Sequence, residues 1–534
     1  MESLYQLELV ILLLAVVLAL TTVAQKIFIP YPILLVIGGL ILGVIPGLPA
    51  VTLSPDLVFL VFLPPILWSA AYFTSWREFR DNLRPISLLA VGLVLATTAA
   101  VAAVARTMLP GIGWPEAIAL GAIVSPPDAV SATAIARRLG VPRRVVTILE
   151  GESLVNDATA LVLYRAAAGA AVGGSFALGQ TLLQFVFAAV VGVAIGLAVG
   201  LATRWALCAT EDSFTQIAIT LLAPYIAWVL GESTHASAVL ACVAGGLHVR
   251  QHFSAAVAPT TRVQARSVWD LLIFVLNGFI FILIGLQLGT LREAVPSSRF
   301  GSLLIAGVLV SVTAIVVRLG WVPLAAVIPR LVSPSLRARD PMPHWSYLLL
   351  IGWTGMRGIV TLAAALALPV MTAAGSPFPF RAEIILISFA VILATLVLQG
   401  LSLTPVIQAL HLEADRGLEQ EEMLARERAA AAALERLDTL AEGGHDDVHL
   451  DRLRVHYGKQ RQRFARSNPV DADCSLEAGE AFRRLRHETL TAERLALIDL
   501  RNNGTISDEV LHRLEYELDI EALRQGIGER RLTR

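Results

Sequence analysis

The sequence predicts an all-α polytopic membrane protein that carries a polar helical tail. Of its 534 residues, 56% are hydrophobic and 16% are charged, and the mean hydropathy is +0.68. Ordinary soluble domains contain about 25% charged residues, so the composition excludes a soluble enzyme of this size. The charges are also unevenly spread, with 46 in residues 411–534 and 39 in residues 1–410. We therefore expect a transmembrane domain over 1–410 and a separate helical tail over 411–534.

Thirteen apolar stretches in the first domain are long enough to cross about 30 Å of hydrocarbon. Each is predicted to form one membrane helix, and the second and the ninth are the shortest. We number them as spans one to thirteen, with approximate bounds 7–24, 31–46, 56–73, 85–108, 114–136, 144–172, 178–207, 214–231, 236–250, 266–290, 301–329, 345–371 and 380–409.

The lysines and arginines of the connecting loops predict the orientation of these spans. One set of alternate loops holds fifteen of them and the other set holds four. Because loops rich in Lys and Arg stay in the cytoplasm, the N-terminus is expected outside the cell and the tail in the cytoplasm. Forty arginines against two lysines are typical of a GC-rich bacterial genome, so we expect the inner (plasma) membrane of a bacterium.

The tail is predicted to be mostly helical, because apolar residues recur in it at helical spacing. The predicted helices cover 419–440, 451–466, 476–500 and 507–524. A solvated bundle or a dimer contact is one interpretation of this tail, and a regulatory element is the alternative.

Span five contains Ser125-Pro126-Pro127-Asp128 at its centre. The two prolines remove two backbone donors, and Pro126 disfavours helical geometry at Ser125. We expect the helix to unwind here and to free carbonyl groups, which suit a cation. Asp128 is placed to cap the second half of the helix, where the helix dipole favours a carboxylate.

Span twelve has a matching feature, the segment Gly352-Trp353-Thr354-Gly355-Met356-Arg357-Gly358. Its three glycines weaken the helix, and Arg357 needs partners at that depth. Spans five and twelve are seven apart, so six-helix repeats over spans 1–6 and 8–13 would make them equivalent. Two discontinuous helices at matching positions of inverted repeats indicate an alternating-access transporter.

Span six carries the acidic run Glu152-Ser153-Leu154-Val155-Asn156-Asp157. Ser153 and Asp157 are one helical turn apart and share a face, so both can face the break in span five. A carboxylate beside hydroxyl and carbonyl oxygens suits a hard monovalent cation such as Na⁺ or Li⁺, and the same carboxylate can hold a proton instead. A group that binds either ion, but not both, provides the minimum chemistry of cation/proton exchange, and Asn156 adds a neutral amide beside it.

Few charged residues lie near the centre of a predicted span, where each charge costs about 2.5–3.5 kcal/mol. Glu152 and Arg318 are two of them. Neither tolerates isolation, so we predict a buried ion pair between them. Arg357 is the alternative partner of Glu152.

Five segments of the membrane domain form a set: Phe62-Leu63-Pro64-Pro65, Ser125-Pro126-Pro127-Asp128, Glu150-Gly151-Glu152-Ser153-Leu154-Val155-Asn156-Asp157, Arg318 with Trp321, and Gly355-Met356-Arg357-Gly358. Together they resemble the monovalent cation:proton antiporter family CPA1, which includes bacterial Na⁺/H⁺ antiporters of the NhaP type and animal Na⁺/H⁺ exchangers. The acidic run is highly specific in a membrane helix, whereas the double proline alone would be a weak signal. The resemblance covers about residues 5–410.

The resemblance implies a six-helix core domain beside a dimerisation domain, crossed discontinuous helices, a homodimer in the lipid and elevator-like alternating access. Within that fold Asp157 looks like the acid that binds both the cation and the proton, with Asn156 as its neighbour. Ser153 looks like a cation ligand, and Asp128 looks like the acid at the break. The Asn-Asp pair is associated in this family with electroneutral exchange.

The same resemblance gives structural roles to three further residues. Glu152 and Arg318 look like a structural ion pair, and Arg357 looks like the arginine at the break of span twelve. Two positions depart from the pattern of the family and remove candidate ligands. Ser69 stands where many relatives have a carboxylate, and Pro127, which offers only a carbonyl, stands where they often have threonine.

The function predicted from the sequence is exchange of a monovalent cation for H⁺, with Na⁺ first and K⁺ or a mixed Na⁺, K⁺ and Li⁺ specificity as the alternative. A cation channel, an anion symporter and a membrane sensor are the competing classes. A channel requires rings of ligands in a symmetric pore, and two aspartates would repel an anion. We predict no enzymatic activity, no cofactor and no nucleic-acid partner.

Overall fold

The computed structural model describes residues 2–27, 30–44, 55–173, 178–294, 297–412, 417–442 and 447–465, together with scattered positions between 489 and 521. Every regular element of these residues is a helix. The chain divides into two compact units, Met1–Asp415 and Arg416–Arg534. All of the candidate site residues lie in the first unit.

The described part of the first unit consists of helices α1 to α19, numbered in chain order. Two short π-helical segments, Val58–Phe62 and Leu88–Leu93, join α3 to α4 and α6 to α7. The helices are α1 (Glu2–Ile27), α2 (Tyr31–Val44), α3 (Pro55–Leu57), α4 (Leu63–Phe73), α5 (Trp76–Asp81), α6 (Leu83–Ser87), α7 (Val94–Met108), α8 (Trp114–Val124), α9 (Ala129–Arg138), α10 (Arg143–Gly173), α11 (Leu178–Cys208), α12 (Ser213–Ser233), α13 (Ala238–Ala256), α14 (Pro259–Ala294), α15 (Ser297–Val332), α16 (Pro334–Arg339), α17 (Trp345–Trp353), α18 (Ile359–Leu366) and α19 (Arg381–Ala409).

Many of these helices have the length and the apolar composition that a bilayer requires. Within the described residues, seven helical stretches are long and apolar enough to cross a membrane: Val10–Ile27, Leu83–Met108, Leu183–Cys208, Ser213–Ser233, Thr260–Gln287, Arg299–Val332 and Arg381–Ala409. Shorter apolar helices lie at Tyr31–Gly43, Val58–Phe73 and Trp114–Val124. The prediction of an all-helical, multi-pass membrane protein is confirmed, and the total of thirteen spans stays a prediction.

The helices of the first unit pack as two groups. In one group, α11 to α14 pack mainly on one another and on α2 and α4. In the other group, α7 to α10 pack on one another and on α15, α17, α18 and α19. Fewer contacts connect the two groups, and most of these involve α10 and α14. The candidate site lies where these two groups meet.

Two interruptions of the helical backbone lie in the second group. The backbone is not helical between Val124, where α8 ends, and Ala129, where α9 begins. A second non-helical segment separates Trp353, at the end of α17, from Ile359, at the start of α18. Prolines in the first segment and glycines in the second explain why the helices end at these places.

The second unit contains two long helices, α20 (Gly417–Glu442) and α21 (Asp447–Ala465), which pack against each other. They match the helices predicted over 419–440 and 451–466. Arg454 of α21 contacts Asp438 of α20, with 2.9 Å between Nη2 and Oδ1. The helices predicted over 476–500 and 507–524 lie largely outside the described residues.

Candidate cation and proton site

The two interruptions touch each other. The amide nitrogen of Asp128 donates to the carbonyl oxygen of Met356 at 2.7 Å, which joins the α8–α9 break to the α17–α18 break. The Asp128 carboxylate caps α9, because its Oδ1 accepts from the amide of Val130 at 2.9 Å. A Cβ atom at Gly358 would clash with the same carboxylate, so only glycine allows the second break to approach so closely. The sequence predicted this cap, and the family resemblance implied crossed discontinuous helices, but the hydrogen bond between Asp128 and Met356 was not predicted.

A cavity of about 600 Å³ lies beside the crossing point. It is lined by residues of α4, α9, α10, α14 and α18 and by the α8–α9 break. The structure brings four of the predicted site residues together in its wall: Pro127, Asp128, Ser153 and Asp157. Ser153 and Asp157 lie one turn apart on α10, as their spacing predicted.

Two acids of α10, Glu150 and Asp157, line this cavity, and Asp157 is the deeper of the two. Its side chain is only 6% exposed, and within the described residues it has no hydrogen bond and no ion pair. Asp128 lies close to it, and one Asp128 oxygen, Oδ2, is buried without a hydrogen-bond partner in the described structure. Two neighbouring carboxylates without a basic partner repel each other, so a proton or a cation stabilises them.

Asn156 lies next to Asp157 on α10. It is fully buried and does not line the cavity. Its Nδ2 donates to the carbonyl oxygen of Pro127 at 3.1 Å, so the amide connects α10 to the α8–α9 break. Its other polar atom, Oδ1, is buried without a hydrogen-bond partner in the described structure.

Glu152 and Arg318 face each other in the interior of the helix bundle. Each side chain is 1% exposed, and Arg318 donates to both carboxylate oxygens, with 2.8 Å between Nη2 and Oε2. Arg318 Nε also donates to the carbonyl oxygen of Ile351 at 3.1 Å. The pair therefore connects α10, α15 and α17 in the group of helices that contains both breaks.

Arg357, the alternative partner, is hydrogen-bonded to backbone carbonyl groups. Its Nε donates to Val124 O, at the end of α8, at 2.9 Å, and its Nη1 donates to Gly355 O. The backbone amide of Arg357 donates to Thr395 Oγ1 at 3.1 Å. A cation at the C-terminus of α8 is favourable, because unpaired carbonyl groups and the helix dipole make that end negative.

The cavity also includes polar residues that the sequence analysis did not select. Asn277 of α14 and Thr361 of α18 line it, and their side-chain oxygens are buried without a hydrogen-bond partner in the described residues. Ser69 of α4, which the sequence analysis noted as a departure from the family pattern, lines it as well and donates to Ile66 O at 3.0 Å. Single neutral polar residues in apolar spans give only a weak signal, and only their shared position near the two aspartates reveals them.

One end of the cavity is charged and accessible to solvent. Along α14, Arg266 and Asp270 are exposed, and Asn277 lies two to three turns deeper. Along α10, Glu150 pairs with Arg137 near the mouth, and Asp157 lies two turns deeper. The cavity therefore leads from charged helix ends to the buried aspartates.

An all-helical membrane protein with two touching helix breaks beside buried carboxylates has the features of a secondary transporter. The family model for the transmembrane region of sodium/hydrogen exchangers matches residues 11–409. The chain belongs to this family, and the resemblance seen in its motifs is confirmed.

Individual relatives agree with this assignment. The chain is 33% identical over 97% of its length to a protein of Mycobacterium bovis named an uncharacterised Na⁺/H⁺ exchanger, and the match covers 96% of that protein. It is 30% identical over 92% of its length to a sodium, potassium, lithium and rubidium/H⁺ antiporter of Bacillus pumilus, of which 74% is covered. The structure is similar to that of the sodium proton antiporter MjNhaP1 of Methanocaldococcus jannaschii, with a TM-score of 0.59 and 19% identity, over 77% of this chain and 99% of that one.

Proposed function

We propose that this protein exchanges a monovalent cation for H⁺ across the membrane, and that Asp157 binds the two ions in turn. One observation carries the proposal. The Asp157 carboxylate is buried in the cavity wall, and it has no hydrogen-bond or ion-pair partner in the described structure. Such a group is stabilised when it is protonated or when it binds a cation. Asp128, Ser153 and the break carbonyls supply further oxygen ligands, which hard cations prefer.

The division of the helices into two groups supports alternating access. The group with both breaks contains Asp157 and Asp128, and the other contributes Asn277 and Ser69 to the opposite wall. A movement of one group along the other would carry the aspartates from one side of the membrane to the other. Thirteen spans with inverted six-helix repeats and two discontinuous helices are the architecture that we propose for this movement.

We assign the cation as Na⁺ first and keep K⁺ and Li⁺ as alternatives. One relative is named for antiport of sodium, potassium, lithium and rubidium, so the family includes broad specificity. Ser69 offers a hydroxyl where a carboxylate would favour a more strongly hydrated ion.

The proposal is tested with purified protein in vesicles that carry an inward-acidic pH gradient. Adding Na⁺, K⁺ or Li⁺ outside should dissipate the gradient, and clamping the membrane potential should leave the rate unchanged if one cation is exchanged for one proton. Protein-free vesicles are the control. Cation flux that moves no protons would show a channel and would contradict antiport.

A second expectation concerns competition between the two ions. If both bind Asp157, lowering the pH should raise the KM for the cation and leave the maximal rate unchanged at saturating cation. At high pH the rate should fall because the returning carboxylate lacks its proton, which gives a bell-shaped profile at fixed, sub-saturating cation. Initial rates over a grid of pH and cation concentration measure both limbs. Protons that lower the maximal rate and leave KM unchanged would assign the pH response to a different site.

A third expectation concerns the hydroxyl of Thr361. Thr361→Val keeps the volume of the side chain and removes one oxygen from the cavity wall. We expect the KM for the cation to rise about two- to tenfold, which is the effect of losing one polar contact. Thr97→Val is the matched control, because Thr97 Oγ1 is also buried without a partner in the described structure but does not line the cavity. Equal KM values for the two variants would remove Thr361 from the site.

The remaining parts of the proposal concern the whole molecule in its membrane. We place the N-terminus outside and the tail of 411–534 in the cytoplasm of a bacterial plasma membrane, where it stabilises a homodimer or regulates exchange. The uneven distribution of loop arginines supports the orientation. The family resemblance supports the homodimer.

A further inference from the structure

A second cavity, of about 330 Å³, lies away from the transport site at the ends of four helices. Arg84 at the start of α6, Arg144 at the start of α10 and Arg330 near the end of α15 line it, together with the residues that precede and begin α17. These helix ends belong to the group that contains both breaks. We call this cavity the arginine pocket.

Charges in the arginine pocket are arranged around one carboxylate. Asp340 accepts from Arg144 at 3.0 Å and from Arg330 at 2.8 Å, and Arg84 also donates to it. Burial alone would raise the pKa of Asp340, but hydrogen bonds and charges of Arg144, Arg330 and Arg84 outweigh burial, and its pKa lies below its usual value. Asp340 is therefore ionised at neutral pH, and the four side chains together keep a net charge of +2.

The three arginines are not equally satisfied. Arg330 uses all three guanidinium nitrogens, on the carbonyl oxygens of Asp340 and Ala326 and on the Asp340 carboxylate. Arg84 has one partner for Nη2, whereas its Nε and Nη1 are buried without a hydrogen-bond partner in the described structure. A buried, charged N–H donor that has no acceptor is energetically unfavourable. The Arg84 guanidinium would therefore be stabilised by binding a further anion.

The deeper part of the arginine pocket is apolar. Leu89, Ile148 and Val322 line it one to two turns along the chain from Arg84, Arg144 and Arg330. Val145, which follows Arg144, and Leu348 and Ile351 of α17 complete its apolar walls. No acidic residue is among the described residues that line it. The pocket thus offers a cationic end at the ends of the helices and an apolar end towards their middle.

We propose that the arginine pocket binds the phosphate of an anionic phospholipid, with an acyl chain in its apolar part. A guanidinium forms strong charge-assisted hydrogen bonds with phosphate oxygens. A phosphate oxygen that accepts from Nε or from Nη1 would satisfy one of the two free donors of Arg84. The ends of membrane helices lie at the depth of the lipid headgroups, and basic pockets between such helices bind anionic lipids. A soluble phosphate ester has the same headgroup chemistry but has no acyl chain for the apolar end.

The test is lipid binding by the purified full-length protein in a neutral detergent. Dioleoyl phosphatidylglycerol should raise the Tm and remain bound in native mass spectra, whereas dioleoyl phosphatidylcholine and inorganic phosphate at equal concentration should do neither. Arg84→Gln should weaken phosphatidylglycerol binding by about tenfold or more, the effect of a lost charge-assisted pair. Arg80→Gln is the matched control, because Arg80 is an exposed arginine of neighbouring α5 that does not line the pocket.

A second variant tests the pocket without changing Arg84 or its hydrogen bonds. Ala325→Phe fills the apolar part and leaves every arginine in place, so it should also reduce phosphatidylglycerol binding. Equal affinity in Arg84→Gln and Arg80→Gln, or equal binding of the two phospholipids, would overturn the proposal. If inorganic phosphate binds through Arg84 as tightly as phosphatidylglycerol does, the pocket is a site for free phosphate and the proposal of a lipid ligand is overturned. These readouts measure binding alone, so they stand apart from the outcome of the transport assays.

Discussion

Asp157→Asn should abolish cation-dependent proton flux and leave a folded protein in the membrane. The substitution keeps the shape of the side chain but removes the charge that a cation needs and the carboxylate that takes up the proton. No described residue pairs with Asp157, so its neutralisation strands no buried arginine. We expect flux at the level of protein-free vesicles, with an unchanged elution volume and an equal or higher Tm, because a buried, unpaired carboxylate is lost.

The matched control is Glu150→Gln on the same helix. Glu150 also lines the cavity, but it lies two turns nearer the mouth and is paired with Arg137. Losing this partly exposed pair changes stability by about 0–1 kcal/mol, and we expect most of the exchange activity to remain. Robust Na⁺- or K⁺-dependent flux through Asp157→Asn would falsify the proposed mechanism, in which Asp157 is the group that binds the cation and the proton in turn.

Hydropathy predicted much of the helical architecture because membrane helices must be apolar along about 30 Å. Hydropathy could not predict the residues at which these helices end, because the helices extend beyond their apolar segments. The tenth span was predicted over 266–290, yet α14 covers Pro259–Ala294, since a helix continues through polar residues once its core is fixed. The π-helical segment Val58–Phe62 was also missed. It immediately precedes α4, whose first turn contains Pro64 and Pro65, and prolines leave local carbonyl groups without their usual amide partners.

Charged residues at the candidate site were predicted better than neutral ones. A carboxylate within an apolar span is conspicuous, so Asp128, Glu152 and Asp157 stand out in the amino-acid sequence itself. The contact between the two breaks does not, because Asp128 and Met356 are far apart in the sequence and meet through backbone atoms. Asn277 was missed for a related reason, since one amide among apolar residues is compatible with ordinary helix packing.

Glu152 and Arg318 should contribute mainly to stability, and neutralising either one should lower the Tm strongly. Removing one partner of a buried pair costs about 3–5 kcal/mol, because the other charge is left buried without compensation. Glu152→Gln removes the negative charge that compensates the Arg318 guanidinium and leaves it neutral acceptors, the amide oxygen of the new side chain and the carbonyl of Ile351. Arg318→Met leaves a carboxylate in the interior. The double variant strands neither charge, so its loss of stability should be smaller than the sum of the two single losses.

The exposed pair of Arg165 and Glu232 provides the control double-mutant cycle, which is compared with that of Glu152 and Arg318. Its Nη2–Oε1 distance of 2.7 Å is typical of a good ion pair, but the side chains are 46% and 37% exposed. Water already stabilises both of these charges, so their coupling should be about 0.2–1 kcal/mol, well below that of the buried pair. Thermal unfolding of the four variants in each cycle measures both couplings under the same conditions. Additive losses for Glu152 and Arg318 would show that the two do not depend on each other. Arg357, whose side chain donates to the carbonyl groups of Val124 and Gly355, would then be tested as the partner of Glu152.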